Sequence, residues 1–187
     1  TVSAQDLFFD LLKERAETGR IYIMNLDHCN SHSSFKDKVS MSNLCQEITL
    51  PTTPIQDIHD EQGEIALCIL SAVNVGALND LSELENICDL SVRALEQIID
   101  YQDYPVRAAE VSTKKRRSLG IGYIGLAHYL AKNGVKYSDP KAWELVDRLS
   151  EAFQYHLLRA SCDIAMEKGK CEGFERTKYA DGLLPID

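Results

Sequence analysis

Two stretches of the sequence place apolar residues at the three- and four-residue spacing of an amphipathic helix, and they constrain the fold most strongly. The first is predicted to begin at a capping box formed by Ser82 and Glu85. The second is predicted to begin at Asp139, followed by Pro140, and to end at Gly169. Their apolar faces are, in chain order, Leu84, Ile87, Cys88, Val92, Leu95, Ile98 and Ile99, then Ala142, Val146, Leu149, Phe153, Leu157, Ala160 and Ile164. Such faces need an apolar layer to pack against, so we expect a folded core with Cys88 as a buried thiol.

Shorter elements are predicted before the first of these helices. A helix is predicted from a capping box at Ser3 and Asp6 to about Thr18, with Gly19 ending it. Short apolar runs between turn residues are typical of strands. Strands are predicted at residues 21–24, 44–50 and 64–75, with a polar loop at 25–42. Because strands alternate with helices, the sequence predicts an α/β fold.

The charge balance argues against nucleic acid as a partner. The chain carries 20 lysine and arginine residues against 29 aspartate and glutamate residues, a net charge of −9. An acidic surface repels a phosphate backbone. The one basic cluster, residues 114–117, is short and has no aromatic residues within it. We therefore interpret it as a solvated helix or loop face rather than a phosphate-binding patch.

The sequence also argues against membrane or secretory targeting. No apolar run reaches the roughly 18 residues that a membrane span needs, and the first residues lack the basic start and apolar core of a signal peptide. The six cysteines form no C-x-x-C pair and are spread along an acidic chain. We therefore predict a reducing, cytoplasmic location with no membrane partner. The alternative is a disulfide between Cys162 and Cys171, which are nine residues apart.

Two familiar motifs occur in weak contexts. Residues 120–125 match G-x-G-x-x-G, but the stretch before them is strongly charged, whereas the dinucleotide fingerprint follows a buried strand. Close packing of a short strand against the following helix is the preferred interpretation. His28, Cys29 and His32, with Cys45 further on, suggest zinc, but they lack the paired spacing of a zinc frame. We expect no metal site there.

The most informative stretch contains an amide, a thiol and a carboxylate at alternate positions. If it is extended, Asn43, Cys45 and Glu47 form a row on one side, and Leu44 and Gln46 face the other way. No histidine lies beside Cys45 to generate a thiolate. The row therefore suits hydrogen-atom transfer with the carboxylate as proton acceptor. The alternative is a strand with incidental polar residues.

Cys68 is by itself a core cysteine within an apolar run, but it also belongs to one of several stretches that form a pattern together. The main stretches are Ser42-Asn43-Leu44-Cys45-Gln46-Glu47-Ile48, Glu64-Ile65-Ala66-Leu67-Cys68, Asn74-Val75-Gly76-Ala77, Asp27-His28-Cys29-Asn30 and Leu184-Pro185-Ile186-Asp187. Together they resemble the large catalytic chain of class I ribonucleotide reductase, closest to bacterial and phage aerobic enzymes. The resemblance covers essentially the whole chain, and it implies part of a ten-stranded α/β barrel with the radical cysteine on a central loop.

The resemblance also implies roles for individual residues. Cys45 would carry the transient thiyl radical that abstracts the 3′ hydrogen of a ribonucleoside diphosphate. Glu47 would accept the 3′-hydroxyl proton, and Asn43 would hold the substrate. Cys68 would be one half of the dithiol that reduces the 2′ carbon and becomes a disulfide. The substrate pocket would be lined by Asn43, Leu44, Cys45, Gln46, Glu47 and Leu70.

The family pattern further implies what this chain would need from elsewhere. Residues 1–187 would be a central part of the catalytic barrel, without the N-terminal nucleotide-sensing domain and the C-terminal redox tail. No cofactor or metal would be bound by this segment, since a metal-containing small subunit supplies the radical and nucleotide effectors bind elsewhere. The expected partners are that subunit, the remaining large-chain segments, and thioredoxin or glutaredoxin as reductant. The alternative is a non-catalytic remnant or interaction domain that only associates with other reductase segments.

Overall fold

A computed structural model describes residues 1–184 as six α-helices, two β-strands and short 3₁₀ turns. Part of the matching stretch that begins at Leu184 lies outside these residues. Among the described residues, no helix has both the length and the apolar composition of a membrane span. The elements are α1 (Ala4–Thr18), α2 (Leu26–His32), β1 (Ile69–Asn74), α3 (Leu84–Tyr101), α4 (Arg107–Arg116), β2 (Leu119–Ile124), α5 (Leu126–Lys132) and α6 (Pro140–Lys168).

The two strands form a parallel pair. Their register runs from Ile69 opposite Leu119 to Asn74 opposite Ile124. Parallel strands need a long crossover, which α3 and α4 provide. One face of the pair, which includes buried Val73, packs against α3, and the other face is largely exposed. The α/β prediction is therefore confirmed.

The core lies between the sheet, α3 and α6. Leu84 and Cys88 of α3 and Leu149 of α6 are fully buried. The ring of Tyr123 on β2 meets the ring of Phe153 on α6 edge to face, with centroids 5.6 Å apart. The two amphipathic helices predicted from the sequence are thus confirmed, as is the role of Cys88 as a packed thiol.

Most of the predicted helix ends are also confirmed. The hydroxyl of Ser3 accepts a hydrogen bond from the backbone N–H of Asp6, and Gly19 ends α1 in the left-handed conformation. The carboxylate of Asp139 accepts from the N–H of Lys141 at 2.9 Å, and α6 ends at Gly169. These contacts satisfy backbone groups that a helix terminus leaves without partners.

The predicted capping box at Ser82 and Glu85 is wrong, because the chain makes a 3₁₀ turn before α3 begins. The carboxylate of Asp80 accepts from the N–H of Ser82 at 2.7 Å, and the carboxylate of Glu83 accepts from the N–H of Asn79 at 3.1 Å. Side-chain carboxylates therefore do cap backbone N–H groups here, but two residues earlier than the sequence pattern indicates.

The strand predictions in the first third of the chain are wrong. Residues 21–24 and 44–50 form no strand, and the predicted polar loop contains α2. Only the second half of the run at 64–75 is a strand, since β1 begins at Ile69. A strand needs a neighbour for its backbone hydrogen bonds, and in residues 1–184 neither of the first two stretches pairs with β1 or β2.

Candidate active site

The residues around Cys45 fold into a tight turn rather than an extended row. The backbone N–H of Gln46 donates to the carbonyl of Asn43 at 3.1 Å, and Gln46 has a φ of 64°. The N–H of Ile48 donates to the Asn43 side-chain oxygen at 3.0 Å. A left-handed residue reverses the chain, so the predicted alternation of side chains along a strand is wrong here.

The turn nevertheless joins two of the three predicted side chains. The Asn43 amide donates a hydrogen bond from Nδ2 to Oε1 of Glu47 at 2.5 Å. In an extended strand these residues would lie about 13 Å apart. The contact fixes one carboxylate oxygen of Glu47 against the Asn43 amide and so sets the place of the carboxylate on the turn.

Cys45 lies at the tip of this turn and is exposed. Its neighbour Leu44 is 77% exposed, whereas Gln46 is half-buried. Within residues 1–184, no side-chain hydrogen bond joins Cys45 to Cys68 or to Glu47. The structure therefore places Cys45 on the same turn as Asn43 and Glu47 but leaves its thiol open.

Cys68 lies immediately before β1 and is half-buried. Burial raises the pKa of the Cys68 thiol, and the negative charge of Glu47 raises it further. The second influence requires the carboxylate to lie near the sulfur, so the fold brings the turn and the start of β1 together. Leu70 follows on β1 and points to the exposed face of the strand pair.

A buried ion-pair network holds the two ends of the loop that carries this turn. Arg116 on α4 donates to Glu64 at 2.6 and 2.8 Å and to Asp37 at 3.0 Å. Lys115 donates to the other oxygen of Glu64 at 2.5 Å. Although burial acts to raise it, hydrogen bonds from Arg116 and Arg176 hold the pKa of the Asp37 carboxyl below its usual range.

This network corrects the interpretation of the basic cluster at residues 114–117 as a solvated face. Arg116 is buried against Glu64, and Arg117 binds Glu96 and Asp100. The sequence does contain a signal for this ion pair, because Glu64 stands at the start of an apolar run. A carboxylate that is buried together with such a run needs a cationic partner. That signal was missed because partner and carboxylate are about 50 residues apart.

Comparison with known proteins decides the family. A sequence model of the barrel domain of ribonucleotide reductase matches residues 1–187. The chain belongs to this family. It is 58% identical to the ribonucleoside-diphosphate reductase subunit alpha of Haemophilus influenzae and 54% identical to the ribonucleoside-diphosphate reductase 1 subunit alpha of Escherichia coli, over 100% of this chain and 25% of each of those proteins. The subunit alpha of phage T4 is 40% identical over 100% of this chain and 24% of its own length.

The chain thus spans about a quarter of the length of the curated relatives it matches. The resemblance read from the sequence is confirmed, and so is the prediction that this α/β chain is a portion of a ribonucleotide reductase barrel. A mixed fold with only one strand pair in residues 1–184 agrees with that assignment.

In this member of the barrel-domain family, the G-x-G-x-x-G motif spans most of β2 and the residue that follows it. Gly125 has a φ of 80° and lies against the side chain of Asn74, so a side chain there would meet both strain and a clash. The close approach is therefore to β1. The first glycine of the motif, Gly120, likewise faces side chains of β1.

The cysteines of the chain form no disulfide in the described residues. All six cysteines are free, including Cys162 and Cys171, so the alternative of a disulfide between them is not realised. Within residues 1–184, no three histidine, cysteine or acidic side chains gather in a way that could hold a metal ion.

Proposed function

We propose that this chain is the active-site portion of a ribonucleoside-diphosphate reductase, which reduces ribonucleoside diphosphates to 2′-deoxyribonucleoside diphosphates. Cys45 carries a thiyl radical, and its sulfur takes the 3′ hydrogen atom of the ribose. Glu47 takes the proton of the 3′-hydroxyl group. A dithiol that includes Cys68 supplies two electrons and two protons and becomes a disulfide: one proton leaves with the 2′-hydroxyl group as water, and the other hydrogen is added to the 2′ carbon. Glu47 then returns its proton to the 3′ oxygen, and Cys45 returns the hydrogen atom to the 3′ carbon, which regenerates the thiyl radical.

The observation that carries the proposal is the grouping of Asn43, Glu47 and Cys68 in a chain of this family. The 2.5 Å bond from Asn43 fixes one oxygen of Glu47. Its second oxygen has no bond to a described side chain, so it is free to accept a proton. Holding a base at a set place removes entropy from the proton-transfer step.

The environment of Cys68 suits its proposed role. A thiol that donates hydrogen must be protonated, and burial together with the charge of Glu47 raises its pKa. Cys68 therefore stays neutral at physiological pH until it is oxidised. The same effect lowers its reactivity as a thiolate nucleophile, which limits side reactions with electrophiles.

The exposure of Cys45 and Leu44 argues that the activity requires more than this chain. A sulfur radical must be shielded from water and from reductants. We propose that the remaining large-chain segments cover the turn and supply the second redox cysteine. A radical-generating small subunit with a metal centre, and thioredoxin or glutaredoxin as reductant, complete the system, and this segment itself binds no cofactor.

The test is reconstitution of the reductase from this chain, the remaining large-chain segments, the small subunit and a reductant. We expect reduction of a ribonucleoside diphosphate by the assembly and none by this chain alone. Cys45→Ala should abolish turnover, whereas Cys162→Ala, which changes an exposed cysteine on α6, should leave it unchanged. Normal turnover by the Cys45→Ala assembly would refute the assignment of the radical site.

The same experiment separates the enzyme from the interaction domain that the sequence left open. Co-migration of this chain with the other segments, without turnover under any condition, would favour a non-catalytic partner. Turnover by this chain alone would instead refute its dependence on the other segments.

A further inference from the structure

The strand pair has one face that does not pack against α3. Its members are Leu70, Ala72 and Asn74 of β1 and Gly120, Gly122 and Ile124 of β2. Cys68 lies two residues before Leu70, so its side chain belongs to the same row. On this face, β2 therefore carries two glycines directly opposite the side chains of Leu70 and Ala72 on β1.

The two glycines differ sharply in the space around them. A methyl group on Gly120 would lie 2.5 Å from Cδ2 of Leu70 and 2.9 Å from Sγ of Cys68. Ordinary contacts between such atoms are about 3.5–4.0 Å. A methyl group on Gly122, two residues along the same strand, would have no such neighbour within 4 Å.

The backbone does not explain the glycine at position 120. Neither Gly120 nor Gly122 has a positive φ, so both positions accept an alanine backbone without strain. The need for glycine at position 120 is therefore steric. The volume that a side chain would fill is already occupied by the Cys68 sulfur and by Leu70.

We propose that Gly120 is a positioning residue for the Cys68 thiol: its missing side chain leaves the space in which the sulfur sits. This inference rests on the proposed function, because it concerns the placing of the redox thiol. A side chain at position 120 would displace the sulfur from its working position, while the same change at position 122 would not.

A side chain at position 120 would move the Cys68 sulfur, because the strand backbones are restrained and the Leu70 side chain can rotate away. The backbones of β1 and β2 are held by their ladder of hydrogen bonds, with Leu70 directly opposite Gly120. Leu70 is 56% exposed and has two rotatable torsions, so it can turn into open space. Cys68 is half-buried and has only one such torsion, so a new contact forces its sulfur into another rotamer.

The test compares Gly120→Ala with Gly122→Ala in the assembled reductase. We expect Gly120→Ala to lower kcat by about tenfold to a hundredfold with little change in KM, because small displacements of reacting groups are costly. Iodoacetamide labelling of Cys68, followed by peptide mass spectrometry, should change in rate by about threefold or more. Labelling of buried Cys88 in the same samples should be unchanged, and Gly122→Ala should match the wild type in every measurement.

Three outcomes would overturn the inference. These are wild-type turnover and Cys68 labelling in Gly120→Ala, equal effects of the two glycine substitutions, and lower turnover with unchanged Cys68 labelling. If Gly120→Ala does not fold, adding Leu70→Ala removes the closer clash, and the labelling of Cys68 is then compared with that of Leu70→Ala alone. The labelling does not need turnover, so an inactive wild-type assembly would count against the proposed function and leave this comparison valid.

Discussion

The buried carboxylate of Glu64 gives the sharpest stability prediction. Its side chain is 6% exposed and accepts hydrogen bonds from Lys115 and Arg116 at 2.5 to 2.8 Å. The change Glu64→Gln keeps the size of the side chain and removes its negative charge. Arg116 would then remain buried with only Asp37 as a charged partner.

The expected loss follows from the burial of each partner. Removing one member of a buried ion pair costs about 3–5 kcal/mol. Lys115 is 20% exposed and can turn toward water, and Arg116 keeps its 3.0 Å contact with Asp37. The low end therefore applies, and we expect the free energy of unfolding to fall by about 3 kcal/mol. For a chain of this size that corresponds to a drop in Tm of about 6–12 °C.

The assay is urea unfolding followed by far-ultraviolet circular dichroism at pH 7. Glu61→Gln is the matched control, because the Glu61 side chain is 75% exposed and lies 3.6 Å from Arg107. Exposed pairs contribute about 0–1 kcal/mol. Equal losses in the two variants, or a Glu64→Gln variant as stable as the wild type, would show that the buried network contributes no more than a surface pair.

Two further predictions concern titration. Burial acts to raise the pKa of Glu64, but hydrogen bonds from Lys115 and Arg116 outweigh it and hold the pKa below its usual range. The ionised Glu64 carboxylate therefore stabilises the fold above about pH 4.3, and this stabilisation is lost as pH falls through the lowered pKa. Acid titration should thus destabilise Glu64→Gln less than the wild type. Parallel plots of unfolding free energy against pH for the two proteins would contradict this. Burial raises the pKa of Cys88 to about 11, so native-state alkylation at pH 8 should label exposed Cys162 far faster than Cys88, and equal rates would refute that account.

Helices α1, α3 and α6 could be predicted from the sequence because their information is local. The apolar spacing of α3 and α6 needs only helical geometry, and Ser3 and Asp139 act on N–H groups within three residues of themselves. The burial of Leu84 and Leu149 follows from the same spacing. None of these features depends on where a distant part of the chain lies.

The geometry of the candidate site could not be predicted from the sequence, and the roles of its residues stay a prediction. The stretch from Asn43 to Glu47 has the alternating character of a strand, yet a left-handed Gln46 turns it back on itself. Gln46 has no intrinsic preference for that conformation. The side chain of Asn43 holds the turn by bonding both to Glu47 and to the N–H of Ile48, and the alternation of polar and apolar residues does not reveal such bonds.

The loop that carries the turn is held at its ends by α4. Asp37 and Glu64 both bind Arg116, so residues 38–63 form a loop whose two ends are held by one buried guanidinium. The backbone of Glu64 also pairs with that of Thr53 through two 3.0 Å hydrogen bonds, which shortens the loop between its anchored ends to residues 38–52. The turn at Asn43 lies within this loop. Ion pairs to α4 and one antiparallel bridge, between residues far apart in sequence, thus hold the loop that carries the proposed base.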